Sequence, residues 1–129
     1  MDDDVSPRPG ALEQLLCFSG RSACLQAGKV LPDGSMEEWW GHLNERRLRE
    51  EPWVEQASTG VLRQASFGCF EGMLLRRGMA GRVPLPDPGF FVNGDDVVYG
   101  FSLSLLGPVL WVGMPLMDKL LDKRCLKKI

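Results

Sequence analysis

Twenty-one consecutive residues, Val97 to Met117, carry no charge (VVYGFSLSLLGPVLWVGMPLM). Asp95 and Asp96 precede them, and the basic stretch DKLLDKRCLKKI follows. A helix of that length, at ~1.5 Å per residue, reaches about 31 Å, which matches the hydrocarbon thickness of a bilayer. A run like this has to leave water, either for lipid or for a protein core.

The primary expectation is a mainly α chain: short amphipathic helices, a Pro/Gly-rich linker and a C-terminal single transmembrane helix. Pro108 and Pro115 would free the carbonyls of Ser104 and Trp111. That costs ~3 kcal/mol each in water and is better tolerated in a membrane bundle. Five basic residues follow within twelve positions (Lys119, Lys123, Arg124, Lys127 and Lys128). They predict a C-terminus on the cytoplasmic, matrix or stromal side. Insertion as a tail anchor would reverse that orientation. The alternative is a soluble α+β chain ending in a β-meander. Tyr99, Phe101, Leu103 and Leu105 alternate with smaller residues at period two, and Asn93-Gly94 and Gly107-Pro108 supply turns.

Breakers divide the rest. Residues 1–10 read as a flexible acidic arm that fits neither a secretory signal nor a transit peptide. Residues 11–77 read as a helical soluble part, 78–96 as the linker, 97–117 as the spanning helix and 118–129 as a basic tail. Ala11 to Phe18 has the apolar spacing of a short helix (Leu12, Leu15, Leu16), closed by Ser19-Gly20. Pro32-Asp33-Gly34 is a turn. Ser35 and Glu38 form a capping box for a helix that puts Met36, Trp39, Trp40 and Leu43 on one face and ends before Pro52. Pro52 opens a second helix, with a small-residue stripe from Val54 through Gly68 and Gly72, spaced for close approach of another helix.

Chemistry is sparse. Four cysteines (Cys17, Cys24, Cys69, Cys125) and a single histidine, His42, have no zinc-binding spacing. Free thiols are the default, with Cys125 a palmitoylation candidate in a juxtamembrane setting. A net charge of −2 and a pI near 5.4 argue against nucleic acid as a partner. The chain contains no phosphate-binding loop, nucleophile elbow or HExxH motif. Glu37-Glu38 and Glu50-Glu51 are adjacent in sequence, and on a helix they diverge by about 100° rather than share a proton. Asp95-Asp96 is a thin basis for a cation site.

Glu71, Arg76, Gly78, Met79 and Gly81 partly resemble the pigment-binding helix of light-harvesting proteins. In that family a Glu pairs with an Arg and ligates chlorophyll. The match spans eleven residues and ends at Arg82-Val83-Pro84, where that family's helix continues, so no ligand is carried over.

These features point to a non-catalytic, single-pass accessory subunit of a larger membrane complex, of the organellar energy-transducing kind (respiratory or photosynthetic). Its membrane would be an inner or thylakoid-type one, and its partners the other subunits and the bilayer. Met36, Trp39, Trp40, Leu43, Gly68 and Gly72 are the expected partner-binding residues. No catalytic residue, metal or cofactor is predicted, although contact with a structural lipid or pigment would suit such a subunit. The alternative is a soluble α+β module whose C-terminal strands lie under the Met36–Trp40 face and bind a protein or an apolar ligand there.

Overall fold

In the computed structural model, residues 4–37, 41–47, 49–52, 61–90 and 94–121 are described. The uncharged run divides in two. Its first part completes helix α3 (Asp95–Ser104), and after a turn at Gly107-Pro108 the rest opens strand β7 (Val109–Lys119). Among the described residues no helix is long and apolar enough to cross a membrane. The mainly α fold with a spanning helix over 97–117 is therefore corrected to mixed α and β. The single-pass membrane placement, and the orientation argued from the basic tail, go with it.

The absence of charge has a different cause. β7 is the central strand of a five-stranded sheet and is covered on both faces. Val109 packs on the α3 side, while Leu110, Val112 and Leu116 pack on the other side, against helix α1 (Ala11–Phe18). A strand covered twice has no solvent face to carry polar residues, so it reads as an unbroken apolar run.

β7 pairs in parallel with β2 (Cys24–Val30) on one edge. Its other edge is shared by two antiparallel partners, β5 (Leu62–Ala65) along Val109–Val112 and β1 (Val5–Pro7) along Met117–Lys119. Beyond β2 lies β6 (Met73–Leu75), the last strand of the sheet. β3 (Gly41–Asn44) and β4 (Arg49–Pro52) form a separate hairpin. The Leu43 amide donates to Ser66 Oγ at 3.1 Å, which ties that hairpin to the chain just after β5. Helix α2 (Arg77–Ala80) follows β6.

Pro115 sits within β7 because the β2–β7 register shifts there, with Gly28 opposite Pro115. A bulge needs no ladder donor from the proline. Gly28 is required at this point, since a Cβ would lie 2.3 Å from the Met114 carbonyl. Gly100 lets α3 rest on the backbone of Phe67-Gly68, where a Cβ would approach the Gly68 nitrogen to 2.5 Å.

Other expectations divide similarly. The helix at Ala11–Phe18 is present and is closed by a 3-10 turn (Ser19–Arg21). The Pro32–Gly34 turn is present too, with Gly34 at φ 85 and the Ser35 amide donating to Asp33 Oδ1 at 2.9 Å. The two helices expected after Ser35 and Pro52 are not formed over the described residues, which are strands β3 to β6. Period two at Tyr99–Leu105 was the meander signal, but Tyr99 to Ser104 is helical, and Gly94 caps that helix at φ 93 rather than turning a hairpin. Asn93 lies outside the described residues.

Candidate functional site

The six residues expected to bind a partner are dispersed. Met36 and Leu43 both pack on a small cluster of Phe67, Cys69 and Trp111 on the α3 side of the sheet. Gly68 is buried beneath α3, and Gly72, at φ 78, turns the chain into β6 against Ala27 and Met117. Neither glycine lies on a helix, so no helix-packing stripe runs through Gly68 and Gly72. Trp39 and Trp40 lie outside the described residues. The Trp111 ring stacks with Arg63, whose guanidinium carbon is 5.2 Å from the ring centroid.

Beside that cluster the sheet buries charge that periodicity did not reveal. Lys29, 2 % exposed, projects from β2 and donates to Glu71 Oε2 at 2.7 Å and to Cys69 Sγ at 3.2 Å. It also lies 3.2 Å from Glu37 Oε2. Lys119, at the end of β7, reaches Glu37 Oε1 at 3.2 Å and Glu71 Oε2 at 3.3 Å. Two ammonium groups and two carboxylates close a ring with no net charge. Gln26 extends it inward, accepting from the Cys69 amide at 2.9 Å and donating to the Glu71 carbonyl at 2.7 Å.

The ring favours the charged forms of Lys29 and Glu71. Burial alone would lower the pKa of Lys29, but Cys69, Glu71 and Glu37 together hold it above the ordinary lysine value. Burial opposes ionisation of Glu71, yet its bonds and proximity to Lys29 and Lys119 pull its pKa below the usual carboxylate range. The Cys69 thiol is pushed up to about 11, because burial outweighs the pull of Lys29, with Glu71 and Asp96 adding to the rise. Cys24 is pushed up to about 12, first by burial and then by Cys69. A thiol that keeps its proton at neutral pH is neither a nucleophile nor a ready metal ligand. Among the described residues no group of three or more His, Cys, Asp or Glu is placed to hold a metal. Glu71, the residue of the light-harvesting resemblance, is spent on two lysines and stands before a strand rather than on a helix.

The α1 side of the sheet carries the feature that invites a partner. α1 buries only Ala11 and Leu15, and leaves Leu12 and Leu16 56 % and 51 % exposed. A cleft of about 180 Å³ runs between the end of α1 and β6, lined by Leu16, Ser19, Leu25, Leu74, Leu75 and Arg76. Its floor, Leu25, is fully buried. Among the described residues no strand pairs with the outer edge of β6.

The ladder shows which groups point outward there. Arg76 donates its amide to the Ala23 carbonyl at 3.1 Å, and the Gly72 carbonyl accepts from Ala27 at 3.0 Å. Antiparallel pairing alternates inward and outward, so residues 72, 74 and 76 face β2. The N–H and C=O of Leu75 and the C=O of Met73 face outward. No sequence motif marks this groove. The sole hint was an apolar helix whose three leucines cannot all face one narrow core.

No family model, no curated protein and no solved structure matches this chain.

Proposed function

We propose that the chain is a protein-binding module that takes up an extended segment of a partner between α1 and β6. The observation that carries this is the coincidence, in one place, of an open sheet edge, a cleft with an apolar floor and two exposed leucines on the adjoining helix. Strand addition uses such pairs of features: main-chain bonds supply register, and a pocket selects one side chain.

Magnitudes set the strength of the interaction. Three outward backbone groups contribute roughly 0.5–1.5 kcal/mol each. One apolar anchor in the cleft contributes about 1.5–3 kcal/mol. Association costs several kcal/mol in lost freedom, so these contacts alone give a weak, transient interaction, and micromolar affinity requires further contacts along the partner. The alternative read from the sequence, an α+β binding module whose C-terminal strands lie under the Met36–Trp40 face, shares the mixed α and β character. The surface favoured here lies on the other face, because Met36 and Leu43 are engaged with Trp111 and Phe67.

Selection from a random-peptide phage library, in parallel against the chain and its Leu16→Glu variant, tests the proposal. Peptides that prefer the parent should slow hydrogen exchange at the Leu75 amide when bound. Peptides that bind both proteins equally, or that leave the Leu75 amide exchanging freely, would end it.

A further inference from the structure

Resting on that groove, we infer that the bound segment is acidic just beyond its apolar anchor, and that Arg76 and Arg77 read its carboxylates. The groove has polarity. At the β6 end stand Arg76, Arg77 and, one turn on, Arg82, all exposed. Among the described residues none of the three forms an ion pair. On the α1 side the one acidic residue of the helix is Glu13, a turn before Leu16. The chain as a whole carries a net charge of −2, so a run of unpaired arginines along one edge is a local feature and not the average of the surface.

Arg76 is also held in place. Its Nη2 donates to the Ser19 carbonyl at 2.8 Å, across the mouth of the cleft that both residues line. A guanidinium has five donors in a planar fork, so one anchoring bond leaves the others for a carboxylate. An arginine already fixed by the protein loses less side-chain freedom when a ligand arrives, and bidentate carboxylate pairing is the strongest use of its fork. Arg77 adds charge directly after it. A segment that places its apolar residue over Leu25 and continues along β6 toward Arg76 carries its next side chains to these two cations. Basic residues there would meet like charge, and acidic residues near Glu13 would do the same, so the arginines also set the direction of the chain.

The probe is again the random-peptide phage library, followed by binding of fluorescein-labelled peptides made from the enriched sequences. Enriched peptides should carry Asp or Glu on one side of an apolar anchor. Their affinity should fall about tenfold or more in Arg76→Glu/Arg77→Glu, weaken as salt is raised, and fall by less in Arg76→Lys, which keeps the charge but loses the fork. Selection against the charge-reversed variant should enrich Lys or Arg in the same positions. An unchanged urea midpoint for the variants shows that the fold is retained. Enriched peptides without acidic residues, still lost in Leu16→Glu, overturn the acidic preference while the groove stands. No enrichment over Leu16→Glu removes the groove itself, and this inference with it.

Discussion

Two regions of this sheet treat their polar and apolar groups in opposite ways. At the Lys29–Glu71 end every charge is buried beside an opposite one, and the carboxamide of Gln26 and the thiol of Cys69 are drawn into the same network. At the α1–β6 groove leucines stand in water and, among the described residues, the edge has no strand partner and the arginines no carboxylate. Burial forces the first arrangement, since an unpaired charge in a core costs several kcal/mol. Nothing in the fold itself requires the second. Satisfied interior groups define the native state, and unsatisfied exterior ones are what a partner can use.

The largest expected effect breaks the buried side. Lys29→Met leaves Glu71 and Glu37 with only Lys119, and should cost about 3–5 kcal/mol by urea unfolding. Lys29→Met/Glu71→Leu leaves Lys119 and Glu37 in balance and should recover most of that loss. A Lys29→Met penalty below about 1 kcal/mol would place the ring on a par with an exposed ion pair.

Next comes the seat of α3. Gly100→Ala puts a methyl against the Gly68 backbone, where the helix can yield only by lifting off the sheet. The expected loss is about 1–3 kcal/mol in unfolding free energy. An unchanged midpoint would mean that α3 is loosely held.

A third effect concerns pH. Cys24 and Cys69 have native pKa values raised from 9.0 to about 12 and about 11. Ionisation therefore favours the unfolded chain. Their contribution is fully present below pH 9 and is lost as pH rises through the native values. Between these limits stability should fall by up to ~1.4 kcal/mol per pH unit for each thiol. Chemical denaturation across that range, repeated with Cys24→Ala/Cys69→Ala, should show a shallower alkaline limb in the variant. Equal slopes would assign the limb to other groups. Glu71 works in the opposite direction: its lowered pKa adds stability above the usual carboxylate range, and that stability is lost as pH falls through the native value.

The smallest stability effect belongs to the groove. Leu16→Glu should shift unfolding by no more than about 0.5 kcal/mol, because the side chain is already half in solvent. It should nevertheless abolish peptide capture. A large stability loss would show that Leu16 serves the core and not a partner.

Local chemistry written in adjacent residues determined part of this molecule unaided. The apolar spacing of Ala11–Phe18 and the Asp33-Gly34 turn act within a few positions of chain and are found where the sequence places them, as is the Gly107-Pro108 turn, which only the α+β alternative contained. Whether an uncharged run of twenty-one residues was lipid-facing or core depended on what covers it, and length and composition are the same in both cases. The folded chain supplied that cover as α1, α3 and the flanking strands, which made a central strand of half the run and a helix of the other half. Tyr99–Leu105 alternates at period two yet is helical through Ser104, because tertiary packing on Phe67-Gly68 outweighs a short local pattern. The ion ring joins positions 29, 37, 71 and 119, and the groove joins 16, 25 and 74–76. Neither has a signature in sequence, because electrostatic pairing and cleft shape depend on distance in space, which only the pairing of β2 with β7 and β6 sets.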